Sequence, residues 1–358
     1  MDRDTKMTGE LLQETVRSIL PPDKAAEKAA VTHWDSIAHP LHSLGRLEDA
    51  VVQIAGIQRT PKVDISEKAL IIMCADNGVV EEGVTQTGQE VTAQVAENFL
   101  SDRATAAILC RETGAEICPV DIGMARDTKV RNCKVACGTR NMTKGPAMTR
   151  EEAVRAIETG IRIAREKVSS GSRILATGEM GIGNTTTSSA VVSVLLERDP
   201  AEVTGRGAGL SSEGLERKIS AIRRALALNR PDASDAIDVL SKVGGFDLAG
   251  LAGVFIGGAG AGVPVVIDGF ISAAAALAAV RICPGCLPYM MASHVSGEPA
   301  ASMVLAALDK KPLLTCEMCL GEGSGAVMIF PLLDMALKVY NSMTTFEEDH
   351  IEAYQHLN

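Results

Sequence analysis

The stretch RILATGEMGIGNTTTSSA, residues 173–190, contains a short apolar run, a glycine-rich turn and a polar segment that leads into AVVSVLLE. The apolar run predicts a buried strand, and the residues from Asn184 onward predict the start of a helix. Gly181 and Gly183 would let the backbone approach a ligand closely. Because free amides at a helix N-terminus favour an anion, the stretch predicts a βα unit that binds phosphate at its turn.

Side chains of the same turn, from Asn184, Thr185 and Thr186, would add further hydrogen-bond donors. The turn does not fit G-x-G-x-x-G, and the chain has no G-x-x-x-x-G-K-[ST], so dinucleotide and nucleoside triphosphate sites lack their fingerprints. An ordinary βα turn capped by threonine remains an alternative at this point.

The same alternation recurs on both sides of this stretch. Apolar runs are predicted as further strands: ALIIMCAD (69–76), AEICPVDIG (115–123), VPVVIDG (263–269) and LPYMMAS (287–293). Helical segments such as residues 151–168 separate them. Strands that are apolar throughout indicate a sheet covered on both faces, so we predict an α/β fold with a parallel, Rossmann-like sheet flanked by helices.

The chain of 358 residues exceeds the size at which one core usually stops growing. Thr8 is predicted to cap a first helix over residues 9–20, Pro21 and Pro22 break it, and further helical spacing follows to Ile37 and again from Leu44 to Ile54. We therefore predict three segments. They are an N-terminal helical segment (residues 1–65), an α/β catalytic domain (66–325) and a C-terminal helix (326–358) that completes a small lobe with the first segment.

Composition narrows the functional classes. The formal net charge is −10 and no dense basic run is present, which argues against nucleic-acid binding. The N-terminus does not resemble a secretory signal, so a cytoplasmic protein is expected. Residues 248–267 are uncharged and long enough for a membrane span, but glycines and Pro264 interrupt them. They are predicted to form a buried helix, a glycine turn and a buried strand.

Nine cysteines in such a protein should be reduced. Cys283 and Cys286 form one C-x-x-C pair, and Cys316 and Cys319 form a second, which is the arrangement of structural zinc sites. The gap between the pairs is long and both flank apolar runs, so we predict cysteines packed in the core rather than a zinc site.

Two more glycine-rich elements carry candidate residues. GRGAGLSSEG, residues 205–214, precedes a helix in which Lys218 could add a positive charge at the phosphate, although a solvated lysine is the simpler alternative. LGEGSGA, residues 320–326, contains Glu322, which burial would make a competent base near neutral pH. A glutamate that merely favours a helix N-terminus is the alternative there.

Further acids follow predicted strands: Asp76, Glu179 and Asp268. Because parallel strands end at one edge of a sheet, we expect these acids to meet at a single cleft. The histidines give no usable spacing, and His294 is predicted to be structural.

Taken together, the motifs resemble the nicotinate-nucleotide:dimethylbenzimidazole phosphoribosyltransferase family along nearly the entire chain. The matching segments are SLGRLE (43–48), CADNGVVEEGV (74–84), GEMGIGNTT (178–186), DVLSKVGGFDLAGLAGV (238–254), PVVIDGFISAAAALAA (264–279), SHVSGE (293–298) and LGEGSGA (320–326). The resemblance implies a parallel α/β sheet with a small helical lobe, usually in a homodimer, and a transfer that needs no metal or cofactor.

The resemblance also implies residue roles. Glu322 resembles the family's general base, and Glu179 with the glycine loop resembles the nucleotide site. The remaining substrate-binding residues that it implies are Gly207 and Lys218 near the phosphate, Asp268 near the ribose, Thr87 beside the acceptor base, and Asp76 and Ser293 in matching motifs.

Several positions depart from the family pattern. Leu41-His42, Asn77 and Cys319 stand where Pro-Gly, histidine and arginine are common, and Thr87-Gly88 replaces Ser-Pro or Tyr-Pro beside the acceptor. Relatives that attach phenol or p-cresol and work as heterodimers therefore remain an alternative. A catalytically weak partner subunit is a second alternative, and a cofactor-linked oxidoreductase a third, although the complete GEMGIGNTT and LGEGSGA pair favours an active transferase.

Overall fold

The structure is a computed structural model that describes residues 9–356. Six strands form its sheet: β1 (Lys68–Ala75), β2 (Glu116–Gly123), β3 (Arg131–Asn132), β4 (Ile174–Met180), β5 (Val265–Ile267) and β6 (Met290–Ala292). The helices up to the middle of the chain are α1 (Glu10–Ser18), α2 (Lys24–Ser36), α3 (Arg46–Gln58), α4 (Glu90–Asn98), α5 (Thr105–Thr113), α6 (Arg150–Ser169) and α7 (Asn184–Leu195). The later helices are α8 (Pro200–Val203), α9 (Ser212–Asn229), α10 (Ala236–Val243), α11 (Phe246–Gly260), α12 (Phe270–Ile282), α13 (Ala301–Ala307), α14 (Ser324–Met328) and α15 (Phe330–Ser342). Two 3₁₀ turns, Gly78–Glu82 and Pro284–Tyr289, complete the set.

All six strands run parallel in the order β3-β2-β1-β4-β5-β6. The five apolar runs predicted as strands form β1, β2, β4, β5 and β6, so the predicted α/β fold with a parallel sheet is confirmed. The short β3 was not predicted, because both of its residues are exposed at the edge of the sheet and form no apolar run.

The sheet is covered on both faces, as its apolar strands predicted. Along β1, Ile71 and Met73 point into one hydrophobic cluster, whereas Leu70 and Ile72 point into the other. This alternation follows from the two-residue repeat of a strand. Both faces therefore bury mainly aliphatic side chains.

Residues 248–267 fold as the predicted buried helix, glycine turn and strand. Helix α11 packs closely on α6, and Gly160 and Gly253 lie where the two backbones nearly touch. A Cβ atom at either glycine would collide with a backbone carbonyl of the opposite helix. Within residues 9–356, no helix is long and apolar enough to cross a membrane.

The terminal helices attach to the sheet domain at two places. Helix α3 packs against α2 and α15, and the ring of Trp34 on α2 lies 5.0 Å from that of Tyr340 on α15. Helix α1 instead packs on α6 and α11, on the opposite face of the sheet. Thr8, the predicted cap of the first helix, lies outside the described residues, and Gly9 occupies the N-cap position. The division into three segments stays a prediction.

The two cysteine pairs differ in their surroundings. Cys283 and Cys286 are buried, as predicted, but Cys316 and Cys319 are exposed, so the prediction of core packing is wrong for the second pair. Residues 316–320 form a loop, and Leu314 before them makes an isolated parallel bridge with His294. That loop runs to the edge of the sheet where β4, β5 and β6 end.

Candidate active site

A cleft of about 420 Å³ opens beyond the carboxyl ends of β4, β5 and β6. This is the expected position for a ligand in an open parallel sheet. Ten of its lining residues are either polar or are glycines whose backbone can come close to a ligand: Thr87, Glu179, Gly181, Asn184, Thr185, Gly207, Asp268, His294, Glu298 and Glu322. Apolar residues complete the wall: Val91, Val95, Met180, Ile182, Phe270, Ile271 and Leu320.

The glycine loop after β4 forms the floor of this cleft. A side chain at Gly181 would collide with the carbonyl of Ala75, so only glycine fits there. Gly183 adopts φ +94° and forms the N-cap of α7, which directs the first amides of that helix toward the loop. The predicted strand, glycine turn and helix start are therefore all present.

Lys218 reaches the same loop from α9. Its Nζ donates hydrogen bonds to Thr185 Oγ1 at 2.8 Å and to the Gly205 carbonyl at 3.0 Å. Burial lowers the pKa of Lys218 to about 8, so the solvated lysine of the simpler alternative is excluded. Gly207 adopts φ +53° beside it, and a Cβ atom there would lie 3.5 Å from Nζ. A partly paired ammonium group next to free amides suits an anion such as phosphate.

Glu179 ends β4 with only 7% of its surface exposed. Its Oε2 accepts a hydrogen bond from the Asn184 side chain. Burial raises the pKa of Glu179 to about 8, and the negative charge of Asp247 adds to that shift. Glycine at position 321 leaves room for the carboxyl, because a Cβ atom there would lie 2.5 Å from Glu179 Oε1.

Glu322 lies across the cleft in a left-handed conformation with φ +62°. Its Oε2 accepts a hydrogen bond of 3.1 Å from the Ala106 amide in the first turn of α5. Burial raises the pKa of Glu322, although the amides of Thr105 and Ala106 oppose that shift. The carboxyl is half-buried and its pKa is displaced toward neutrality, as a general base requires.

Asp268 follows β5 and holds the start of α14. Its Oδ2 accepts a hydrogen bond from the Gly323 amide at 3.3 Å, and its Oδ1 accepts one from Ala326 at 3.0 Å. Burial raises the pKa of Asp268, and the nearby His294 opposes that shift. Asp268 therefore positions the segment that carries Glu322.

Five predicted site residues do not line the cleft. Lys218 is fully buried and reaches the cleft wall only through Thr185. Gly183 lies in the glycine loop at the N-cap of α7, and Thr186 is buried in the first turn of that helix. Ser293 is buried beside His294, with 2.9 Å between its Oγ and Nδ1 of the imidazole. Asp76 is fully buried and accepts a hydrogen bond from the Ala125 amide at 2.7 Å. The expectation that all strand-end acids meet at the cleft is wrong for Asp76, because its carboxylate points toward the loop after β2.

Known proteins give an independent comparison. A family model described as Phosphoribosyltransferase matches residues 19–351. The chain belongs to this phosphoribosyltransferase family. The nicotinate-nucleotide–dimethylbenzimidazole phosphoribosyltransferase of Acetivibrio thermocellus is 50% identical over 348 residues, which cover 96% of this chain and 99% of the relative. The enzyme of the same name from Ruminiclostridium cellulolyticum is 49% identical, with the same coverage.

Solved structures of the phosphoribosyltransferase family agree with this assignment. The crystal structure of CobT from Thermus thermophilus matches with a TM-score of 0.88 at 38% identity, covering 92% of this chain and all of that one. A second structure, whose name gives the nicotinate-nucleotide–dimethylbenzimidazole enzyme of the same organism, matches with a TM-score of 0.86 at 37% identity. The resemblance inferred from the sequence motifs is thus confirmed.

Three polar residues of this phosphoribosyltransferase were missed by sequence reasoning. His294 lines the cleft beside Asp268, so its description as merely structural needs correction. Glu298 lines the cleft with its Oε2 unpartnered among the described residues, and its charge acts on Lys218. Asp247 lies fully buried behind the glycine loop. The motifs SHVSGE and GGFDLAGLAGV contain them, but neither motif shows spacing that identifies a partner.

Proposed function

We propose that this phosphoribosyltransferase moves ribose 5-phosphate from nicotinate mononucleotide to an aromatic base of the dimethylbenzimidazole type. The products are an α-riboside 5′-phosphate, for the lower ligand of a cobamide, and nicotinate. The observation that carries the proposal is the arrangement of one cleft, in which Thr185, backed by the buried Lys218, and helix amides lie at one side and the Glu322 carboxyl at the other.

The geometry supports separate binding regions in this cleft for the phosphate and for the two aromatic rings. Lys218, Thr185 and the Gly207 backbone would bind the phosphate, with the first amides of α7 beneath it. The apolar wall, including Phe270 and Leu320, would hold two planar rings away from water. The remaining residues that we assign to substrate binding, directly or through their neighbours, are Thr87, Gly181, Gly183, Asn184, Thr186, Asp268, Asp76 and Ser293.

The transfer step then requires one proton acceptor. As a ring nitrogen of the acceptor attacks the anomeric carbon, the bond from that carbon to nicotinate breaks, and nicotinate leaves with the bonding electrons. Glu322 accepts the proton that the acceptor ring loses. Attack from the opposite face inverts the anomeric carbon, which gives the α product. Fixed dipoles and a dry cleft would stabilise the positive charge that develops on the sugar.

A competition assay tests the proposed substrates. Purified protein is supplied with nicotinate mononucleotide and equimolar dimethylbenzimidazole, adenine, phenol and p-cresol, and products are separated by mass. We expect a benzimidazole riboside phosphate as the main product. A dominant phenolic riboside would overturn the proposed acceptor, which the names of the relatives favour over phenol. Absence of every product would favour a partner subunit of low activity.

We also propose that the enzyme is a homodimer in the cytoplasm. Exposed apolar side chains flank the Glu322 segment: Leu320, Met328 and Met335. Such a group of side chains favours an interface between copies. Light scattering of the purified chain should give twice the monomer mass, whereas a monomer that dimerises only with a paralogous chain would support a heterodimer.

A further inference from the structure

Asp247 is a fully buried acid directly behind the cleft. It lies in the first turn of α11, where its Oδ1 accepts a hydrogen bond of 2.9 Å from the Leu248 amide. Its Oδ2 has no hydrogen-bond partner within residues 9–356. An ionised carboxylate in such a place is costly, so its neighbours must compensate for its charge.

The glycine loop packs against this acid. A Cβ atom at Gly181 would lie 2.9 Å from Asp247 Oδ2 and 3.1 Å from Nδ2 of Asn77. Both polar atoms of the Asn77 side chain also lack a hydrogen-bond partner among the described residues. Asp247 and Asn77 thus form a buried polar layer beneath the loop that reaches the cleft.

Asn184 connects this layer to Glu179. Its side-chain nitrogen donates a hydrogen bond to Glu179 Oε2. The same side chain lies close enough to Asp247 to lower the pKa of that acid, as does Asn77. The two carboxyls therefore lie on either side of one amide group.

The charges around the pair are almost all negative. Asp268 also acts on Glu179, and the Cys74 thiol on β1 faces both acids. Glu322 lies next to Asp268, and the charge of His294 acts on Asp268. Because no ion pair joins Asp247 or Glu179 to a basic side chain within residues 9–356, the most favourable arrangement keeps one proton on the pair.

The proton belongs on Glu179. Burial raises the pKa of Asp247 to about 6 and that of Glu179 to about 8. The contacts agree with this order, because Asp247 accepts a hydrogen bond from the Leu248 amide, whereas Glu179 faces two acids, Asp247 and Asp268. Asn184 donates to Oε2 of Glu179, so the hydrogen is assigned to Oε1, and the nearby Glu322 amide acts in the opposite direction by favouring the charged form.

We propose that Asp247 is a positioning residue that keeps a proton on Glu179, so that Glu179 faces the cleft as a hydrogen-bond donor. Its partner would be an acceptor atom of the bound nucleotide, and Glu322 alone would act as the base. This inference rests on the proposed function for its catalytic meaning. The protonation itself is a property of the ligand-free protein.

The first experiment measures protonation without turnover. Protein labelled with ¹³C at glutamate carboxyls is titrated by NMR, and the Glu179 signal is identified as the one missing in Glu179→Gln. We expect it to titrate near pH 8 and to move about one pH unit lower in Asp247→Asn, because a neighbouring negative charge has been removed. Asparagine still accepts from Leu248, and Asp309→Asn, which removes an exposed carboxylate, is the control. An unchanged Glu179 titration in Asp247→Asn overturns the inference.

The second experiment measures the rate of riboside formation against pH. Glu179 loses its hydrogen as pH rises, so kcat/KM of the wild type should fall above about pH 8. In Asp247→Asn the same fall should begin at a lower pH. Lys218, whose pKa is also about 8, adds its own fall above that pH, so Glu179→Gln, which keeps a donor, should lose only the part of the fall that Asp247→Asn moves. If the wild type is active and Asp247→Asn shows the same pH profile of kcat/KM, the inference is contradicted. No riboside from the wild type, together with a shifted NMR titration, refutes the proposed function instead.

Discussion

At the residue scale, the two cleft glutamates differ because of their surroundings. Glu322 meets the amides at the start of α5, whereas Glu179 is buried among other acids. Amides stabilise a carboxylate and neighbouring acids destabilise it, so one residue type serves two functions. Glu322 is therefore the one suited to accept a proton.

Replacing Glu322 by glutamine should reduce kcat by about 100-fold or more, the usual contribution of a general base, while the KM for nucleotide changes little. Steady-state kinetics with nicotinate mononucleotide and dimethylbenzimidazole measure both constants. Glu317→Gln is a matched control, because Glu317 lies in the same loop with φ +52° but outside the cleft. Equal loss in both variants would show that the loop, rather than the carboxyl, is at fault.

Replacing Lys218 by methionine should raise the KM for nicotinate mononucleotide about 10- to 100-fold. A hydrogen bond to a charged group contributes about 1.5–3 kcal/mol, and methionine preserves the buried apolar stem. Arg223→Met, on the exposed face of the same helix, should leave KM unchanged. A Lys218→Met enzyme with normal KM would remove the lysine from the phosphate site.

Residue patterns made Glu322 and Lys218 candidates because each lies near a glycine-rich turn, and the family resemblance gave them their roles. Asp247 and His294 could not be found in this way, since their partners come from distant elements. The orientation of Asp76 was also beyond the sequence, because it depends on how the loop after β2 folds back to offer the Ala125 amide.

At the element scale, the cleft depends on turns whose left-handed backbone favours glycine. Gly207 adopts φ +53° at the phosphate side, and the Cβ atom of an alanine there would lie 2.9 Å from Thr185 Oγ1. Gly262, in the turn before β5, adopts φ +74° with nothing within 4 Å. An alanine would therefore strain the backbone at both positions, but only at Gly207 would its Cβ atom also press on a neighbouring side chain.

Gly207→Ala and Gly262→Ala should each lower the free energy of unfolding by about 1 kcal/mol, because a left-handed residue with a side chain is strained. Only Gly207→Ala should also raise the KM for nucleotide, since it displaces Thr185. Thermal denaturation and kinetics on both variants separate the two effects. An equal KM in the two would contradict the placement of phosphate at Gly207.

Strands and helices of this chain were largely predictable because their periodicity is strong and their ends carry glycine, proline or capping residues. The predicted helix at 151–168 is Arg150–Ser169, with a capping box from Thr149 and Glu152. Leu313 and Leu314 pair with the chain at and just after β6, but the residues that follow them leave the sheet. Local pattern alone does not reveal where such pairing ends.

At the scale of the whole molecule, one hydrophobic cluster joins the terminal helices to the sheet. It includes Trp34 on α2, Leu333 and Tyr340 on α15, and Leu70 and Ile72 on β1. A continuous cluster makes separate unfolding of a terminal lobe unfavourable. We therefore expect the segments before residue 65 and after residue 325 to unfold together with the sheet.

Denaturant unfolding should be a single transition. Trp34 is the one tryptophan of the chain and is 3% exposed among the terminal helices, so its fluorescence reports on them. Far-ultraviolet circular dichroism reports on all helices and strands. The two midpoints should coincide, and a fluorescence transition at clearly lower denaturant would show that the terminal helices unfold first.

The tight contact between α6 and α11 should make its glycines intolerant of substitution. Gly160 and Gly253 leave no space for even a methyl group, although both are remote from the cleft. In a saturation library selected for cobamide synthesis, these two codons should be as invariant as that of Glu322. Invariance there would reflect the clearance between two backbones, so a map of intolerant positions would mark two separate regions of the protein, only one of which does chemistry.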